Sequence, residues 1–127
     1  MRKTINELLA EAQSRLERLE PHEVAAAMER GALLVDIRSE DVRRHEGVIP
    51  GALHVPRNVL EWRVDPESGS QDPAIAGHEN DLILFCSEGY SSSLAAVTLH
   101  ELGFDRATDV VGGFQAWRAA GLPVEPA

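Results

Sequence analysis

One stretch of the chain, Leu82-Ile83-Leu84-Phe85, is apolar at every position, which is how a strand reads when both of its faces are buried in a parallel sheet. The residues that follow switch to a helical period. Leu94, Val97, Thr98 and Glu101 form one row, with Ala95, Leu99 and Leu102 beside it, so the spacing predicts a helix over 91–102 stopped by Gly103. Ala32-Leu33-Leu34-Val35-Asp36-Ile37 reads as a second buried strand, and Ala52 to Val55, ended by Pro56, as a third and shorter one. Phe104 to Val111 supplies a further strand, and Leu19-Glu20-Pro21 a short edge strand, for five in all.

Helical patterns fill the intervals. Thr4 to Arg18 places Ile5, Leu8, Leu9, Ala12 and Leu16 on one face, to cover the domain or to meet another subunit. Pro21 opens a helix over 22–30, Ser39 caps a brief one over 40–44, Asn58 to Arg63 makes a helical turn, and the glycine pair before Phe114 leads into a last helix. Asp65 to Ser70 is a polar loop. Strands alternating with helices predict a parallel sheet covered on both faces, with right-handed crossovers. Residues 1–18 read as a helical extension and 19–127 as the domain proper.

In such folds reactive groups collect at the carboxyl ends of the strands. Cys86, the single cysteine, stands there, between the central strand and the N-terminus of the next helix. Unpaired N–H groups and the positive end of the helix dipole stabilise a thiolate at that place, and Gly89 lets the backbone curl so that successive N–H groups point inward. Two roles fit the cysteine from position alone: a nucleophile, or a small hydrophobe packed at a strand end. Asp36 and Arg38, two apart at the exit of another strand, lie on one side of the chain, either in a site or as braces of the following loop. Arg57, Trp62 and Arg63 are candidates for a pocket wall, with solvated arginines and a core tryptophan as the alternative.

The chain has 127 residues, one domain by size, and its 12 basic against 21 acidic residues give a formal charge of −9. That balance argues against nucleic acid and anionic membranes as partners. No apolar run reaches a membrane span and no signal-peptide core is visible. A single cysteine forms no internal disulfide, so a reducing cytoplasm is the simplest compartment. It also leaves no second thiol to resolve an intermediate on Cys86. His22, His45, His54, His78 and His100 are scattered, and no metal site is expected.

Four motifs stand in register: Asp36-Ile37-Arg38, the turn from Glu46 to Ala52, the loop that begins at Cys86, and Val111 to Trp117 with Gly121-Leu122-Pro123. In order and spacing they resemble a single-domain rhodanese from about Leu19 to Val124. The resemblance implies a three-layer α/β/α domain with a five-stranded, mainly parallel sheet. It implies a sulfurtransferase in which Cys86 accepts a sulfane sulfur as a persulfide, cradled by the loop of Ser87, Glu88, Gly89, Tyr90, Ser91 and Ser92, and passes it to a nucleophile. No cofactor is required; the partners are a small-molecule or protein sulfur donor and acceptor.

The loop departs from the family pattern. Where basic residues or a threonine often stand, this chain has Ser87 and Ser91, with Glu88 between them. A carboxylate beside the thiolate opposes a dianionic donor if it faces inward, and matters less if it faces solvent. Thiosulfate is therefore expected to be a poor donor. Two other functions are weighed: a phosphatase, which needs an arginine that this loop lacks, and a non-catalytic binding or redox-sensing module.

Overall fold

A computed structural model describes residues 1–127. Four parallel strands form one sheet in the order β2-β1-β3-β4: β1 (Leu33–Asp36), β2 (Leu53–His54), β3 (Leu82–Phe85) and β4 (Thr108–Asp109). Six helices accompany them: α1 (Ile5–Ser14), α2 (Pro21–Glu29), α3 (Glu40–Glu46), α4 (Leu60–Val64), α5 (Ser91–Glu101) and α6 (Gly113–Ala119). β1 and β3 lie at the centre, pairing Leu33 with Leu82 through to Asp36 with Phe85.

Side chains of a strand point alternately to its two faces, and the core divides accordingly. Val35, Leu82 and Leu84 pack with Leu60 and Val64 of α4 and with Ala95, Ala96 and Leu99 of α5. Leu34, Ile83 and Phe85 pack on the other face with Val24 of α2 and with Phe114 and Trp117 of α6. Helices thus cover both faces. Each fully buried side chain of leucine size contributes about 1.5–3 kcal/mol by leaving water, which is why the runs Leu33-Leu34-Val35 and Leu82 to Phe85 become the central strands.

The sheet has four strands, not the five expected. Leu19 makes a single parallel bridge to Val110, and the chain cannot extend it. Glu20 already serves as N-cap of α2, and Pro21 lacks the N–H that a further rung needs. β4 is also shorter than the pattern over 104–111 suggests. Phe104 N–H closes back on the Leu99 carbonyl and Ala107 N–H on Phe104, which leaves only Thr108 and Asp109 to pair with β3. The first helix ends at Ser14 rather than Arg18 and packs on α5, covering the domain. Thr4 caps it in a capping box with Glu7.

No helix is long and apolar enough to cross a membrane.

Candidate functional site

The carboxyl ends of β1 and β3 open into a cavity of about 380 Å³, lined by residues from the exit of β1, from α3 and from the loop between β3 and α5. Ile37, Arg38, Ser39 and Val42 form one wall, and Cys86, Ser87, Glu88, Tyr90 and Ser91 form the floor and the other. The sulfur of Cys86 is mostly covered, with the residue only 7% exposed. It accepts the Gly89 N–H at 3.2 Å and lies 3.3 Å from the Ser92 hydroxyl oxygen. Gly89 takes φ +84°, a conformation open to glycine, and that turn aims its N–H back at the sulfur.

Burial, the largest single influence on the thiol, pushes its pKa up. Hydrogen bonds from the Ser92 and Ser91 hydroxyls and from the N–H groups of Ser92 and Gly89 together outweigh it, so the thiol is held below its ordinary value. The thiolate fraction, and with it the alkylation rate, falls only as pH drops through this depressed pKa. Iodoacetamide is therefore expected to modify folded Cys86 at pH 7 faster than the same thiol in urea, whose midpoint lies near the free-cysteine value of about 8.5. A folded midpoint at or above the unfolded one would contradict the arrangement.

Asp36 and Arg38 brace the site from below. The guanidinium donates to both Asp36 oxygens at 2.9 and 2.8 Å, to the Gly47 carbonyl at 2.9 Å and to Glu46 at 3.2 Å. Its Cζ lies over the Phe114 ring, 4.3 Å from the ring centre. Arg43 donates to the same Asp36 from α3. Arg38 touches the cavity, but its charge is already matched by two carboxylates. Ser87 donates to Glu46 at 2.9 Å, which ties the loop to α3. Glu88 is exposed at the rim, so its charge meets solvent rather than the sulfur directly.

Arg57, Trp62 and Arg63 do not form a wall of this cavity. Leu60 and Val64, four apart, anchor α4 in the core, and the residues between them turn outward. Trp62 is 59% exposed and lies in a separate groove with Glu61, Asp65, Ser68 and Leu102. Arg57 pairs with Glu61, and Arg63 donates to the Ser70 carbonyl. Trp117, by contrast, is a buried core residue whose indole N–H donates to the Pro123 carbonyl.

Three contributors carry little local signal in the sequence. Ile37 and Val42 give the cavity an apolar wall, and Asp109 at the end of β4 is fully buried behind the loop. Asp109 accepts from the Ser92 and Ser93 hydroxyls, both at 2.7 Å. No group of three or more His, Cys, Asp or Glu side chains is placed to hold a metal ion.

Over 111 residues the chain is 36% identical to a protein named thiosulfate sulfurtransferase GlpE from Actinobacillus pleuropneumoniae, covering 86% of this chain and 93% of that one. A protein named sulfurtransferase from Allochromatium vinosum is 33% identical over 92 residues, covering 72% of this chain and 77% of that one. Among solved structures, RPA3614 from Rhodopseudomonas palustris, described as of unknown function and a possible tyrosine phosphatase, superposes with a TM-score of 0.86 at 33% identity, covering 98% of this chain and 96% of that one. The human single-domain sulfurtransferase TSTD1 superposes with a TM-score of 0.64 at 26% identity, covering 80% and 95%. The sequence profile of the rhodanese-like domain matches residues 20–120, and with the parallel sheet and the cysteine loop in their places the chain belongs to the rhodanese-like domain family.

Proposed function

We propose that the protein is a sulfurtransferase in which Cys86 carries the transferred sulfur. The observation that supports this most directly is the sulfur at the floor of an open cavity, 3.2 Å from an inward N–H and with its thiol pKa lowered. The thiolate attacks the sulfane sulfur of the donor; a new S–S bond forms, the donor's own S–S bond breaks, and its electron pair leaves with the donor. Cys86 then holds a persulfide whose terminal sulfur is anionic, and the loop N–H groups stabilise that charge as they do the thiolate. An acceptor thiolate takes the terminal sulfur, and the Cys86 thiolate leaves. No net oxidation occurs. The names of the relatives support the same class of reaction.

A tyrosine phosphatase reading, prompted by the description of RPA3614, has less support. A phosphate clamp requires a free guanidinium, Ser87 to Ser93 contain no arginine, and Arg38 is held by Asp36 and Glu46.

Mass spectrometry after incubation with a donor tests the proposal. Cys86 gains one sulfur, which is lost on adding cyanide or excess thiol. An unmodified chain with several donors would instead favour a binding or redox-sensing module. The donor preference follows from charge. The cavity offers Ile37, Val42 and Tyr90, an already paired arginine, and Glu88 at its rim. One further like charge about 8 Å from an exposed, solvent-screened carboxylate costs about 0.5 kcal/mol, or about twofold. A small organic persulfide should therefore exceed thiosulfate in kcat/KM by about twofold, and Glu88→Gln should raise the value for thiosulfate more than for the persulfide. Thiosulfate preferred by the wild-type protein would sink the electrostatic account.

A further inference from the structure

We infer that Arg18, from the segment between α1 and α2, is a positioning residue for Cys86, and that it acts through the buried carboxylate of Asp109. The inference rests on reading Cys86 as the nucleophile, and it concerns how that nucleophile is kept ionised.

Arg18 reaches the back of the cysteine loop from outside the strand–loop–helix unit. Its Nε donates to Asp109 Oδ1 at 2.8 Å, and one terminal nitrogen donates to Asp109 Oδ2 at 3.2 Å and to the Gly89 carbonyl at 2.9 Å. The backbone fixes it there. Leu19 N–H donates to the Asp109 carbonyl, Val111 N–H donates to the Leu19 carbonyl, and the Thr108 hydroxyl donates to the Glu17 carbonyl. The single bridge of Leu19 to Val110 is thus too short for a fifth strand but sufficient to hold a guanidinium against Asp109.

The consequence for the sulfur follows from counting protons. Asp109 has no solvent exposure, and besides Arg18 it accepts the Ser92 and Ser93 hydroxyls. Ser92 has one proton to give and two acceptors, the carboxylate at 2.7 Å and the Cys86 sulfur at 3.3 Å. While the thiol is protonated, it donates to Ser92 and Ser92 donates to Asp109. When the thiol ionises, the Ser92 hydroxyl turns to the sulfur, and Asp109 tolerates the loss because Arg18 and Ser93 remain. The two bonds also bring the carboxylate within about 6 Å of the sulfur, close enough for an uncompensated charge to oppose the thiolate by more than one pH unit. Arg18 cancels that charge. Through the Gly89 carbonyl it also steadies the residue whose N–H, in the preceding peptide, points at Sγ.

Other charged or titratable groups face the sulfur from elsewhere: Arg38 at the exit of β1, Glu46 of α3 through Ser87, and Glu88 and Tyr90 at the rim. Arg38 and Glu46 bond each other, and Glu88 and Tyr90 are exposed. The pair of Arg18 and Asp109 lies on the loop's inner side, with the carboxylate fully buried and the arginine mostly so.

Alkylation of Cys86 by iodoacetamide as a function of pH tests the inference without requiring sulfur transfer. Arg18→Met leaves two anions to form within about 6 Å, so the Cys86 midpoint rises by about one pH unit, and the rate at pH values well below the midpoint falls about tenfold. Arg18→Lys, which keeps a cation beside Asp109, recovers most of that loss. Asp109→Asn leaves Arg18 unopposed and frees the Ser92 proton, so the midpoint falls by about half a pH unit. Opposite signs in Arg18→Met and Asp109→Asn are the decisive result, since a general loosening of the loop would move both the same way. Should Arg18→Met fail to fold, Asp109→Asn alone decides: a lower midpoint upholds the inference, and an unchanged or higher one overturns it. A protein that shows these shifts but never gains sulfur on Cys86 would keep the inference and lose the sulfurtransferase reading, and the converse result would do the reverse.

Discussion

Cys86→Ser is expected to gain no sulfur from any donor and to lose turnover by on the order of a thousandfold or more, the scale on which removal of a nucleophile acts. The chain contains no other cysteine, so no second thiol can substitute. A serine hydroxyl ionises far above neutral pH and forms no disulfide-type bond to the sulfane sulfur, so both halves of the transfer fail. The fold should survive. Serine keeps a polar atom facing the Gly89 N–H and the Ser92 hydroxyl, which limits the stability change to about 1 kcal/mol. Steady-state assays with a persulfide donor, beside a thermal melt, check both halves. Residual activity within tenfold of wild type in a folded Cys86→Ser protein would place the transferred sulfur on another group.

That expectation was open to reasoning from the sequence because the features behind it are local. An all-apolar run, one cysteine, a glycine three residues later and a helical period fix a strand, a turn and a helix within about twenty residues. β3 and α5 fall where the pattern puts them, and Gly89 N–H meets the sulfur as the turn requires. The bracing role of Asp36 and Arg38 was likewise one of two local options.

The misplacements share a different cause: each depended on a partner distant in sequence or on the phase of a short helix. Trp62 was expected in the core or a pocket wall, but α4 has five residues, and Leu60 with Val64 claims its single inward face. Leu19 had the makings of a strand, yet the proline two residues later limits it to one rung. Asp109 and Arg18 are 91 residues apart, and neither stands in a pattern that announces the other. Periodicity reports which face of an element is buried. It does not report which charged groups the topology brings together behind the loop.

A second large effect is expected from a position with no side chain. Gly113→Ala should destabilise the protein by about 3 kcal/mol or more, drawn from backbone strain and from steric overlap with the cysteine loop. Gly113 opens α6 at φ +58°, where an L-residue costs roughly 1–2 kcal/mol. The larger part is contact. A Cβ there would lie 2.5 Å from the Cys86 carbonyl oxygen, 2.8 Å from Gly89 N and 2.9 Å from Glu88 N. All three are backbone atoms of the cysteine loop, so no rotamer change relieves the clash. Either α6 moves away or the loop does, and the two are bonded: Phe114 N–H donates to the Cys86 carbonyl at 2.8 Å and Gln115 N–H to the Ser87 carbonyl at 3.0 Å. Gly121→Ala supplies the control, since Gly121 has φ +77° with nothing within 4 Å of the added carbon. It should cost about 1 kcal/mol, the backbone part alone. Chemical denaturation gives both stabilities, and the alkylation rate of Cys86 at pH 7, measured where each variant is folded, separates their consequences for the site. The rate should fall in Gly113→Ala and stay at the wild-type value in Gly121→Ala. Equal losses of stability with equal rates would mean that the seat of α6 against the loop has no part in shaping the N–H groups around the sulfur.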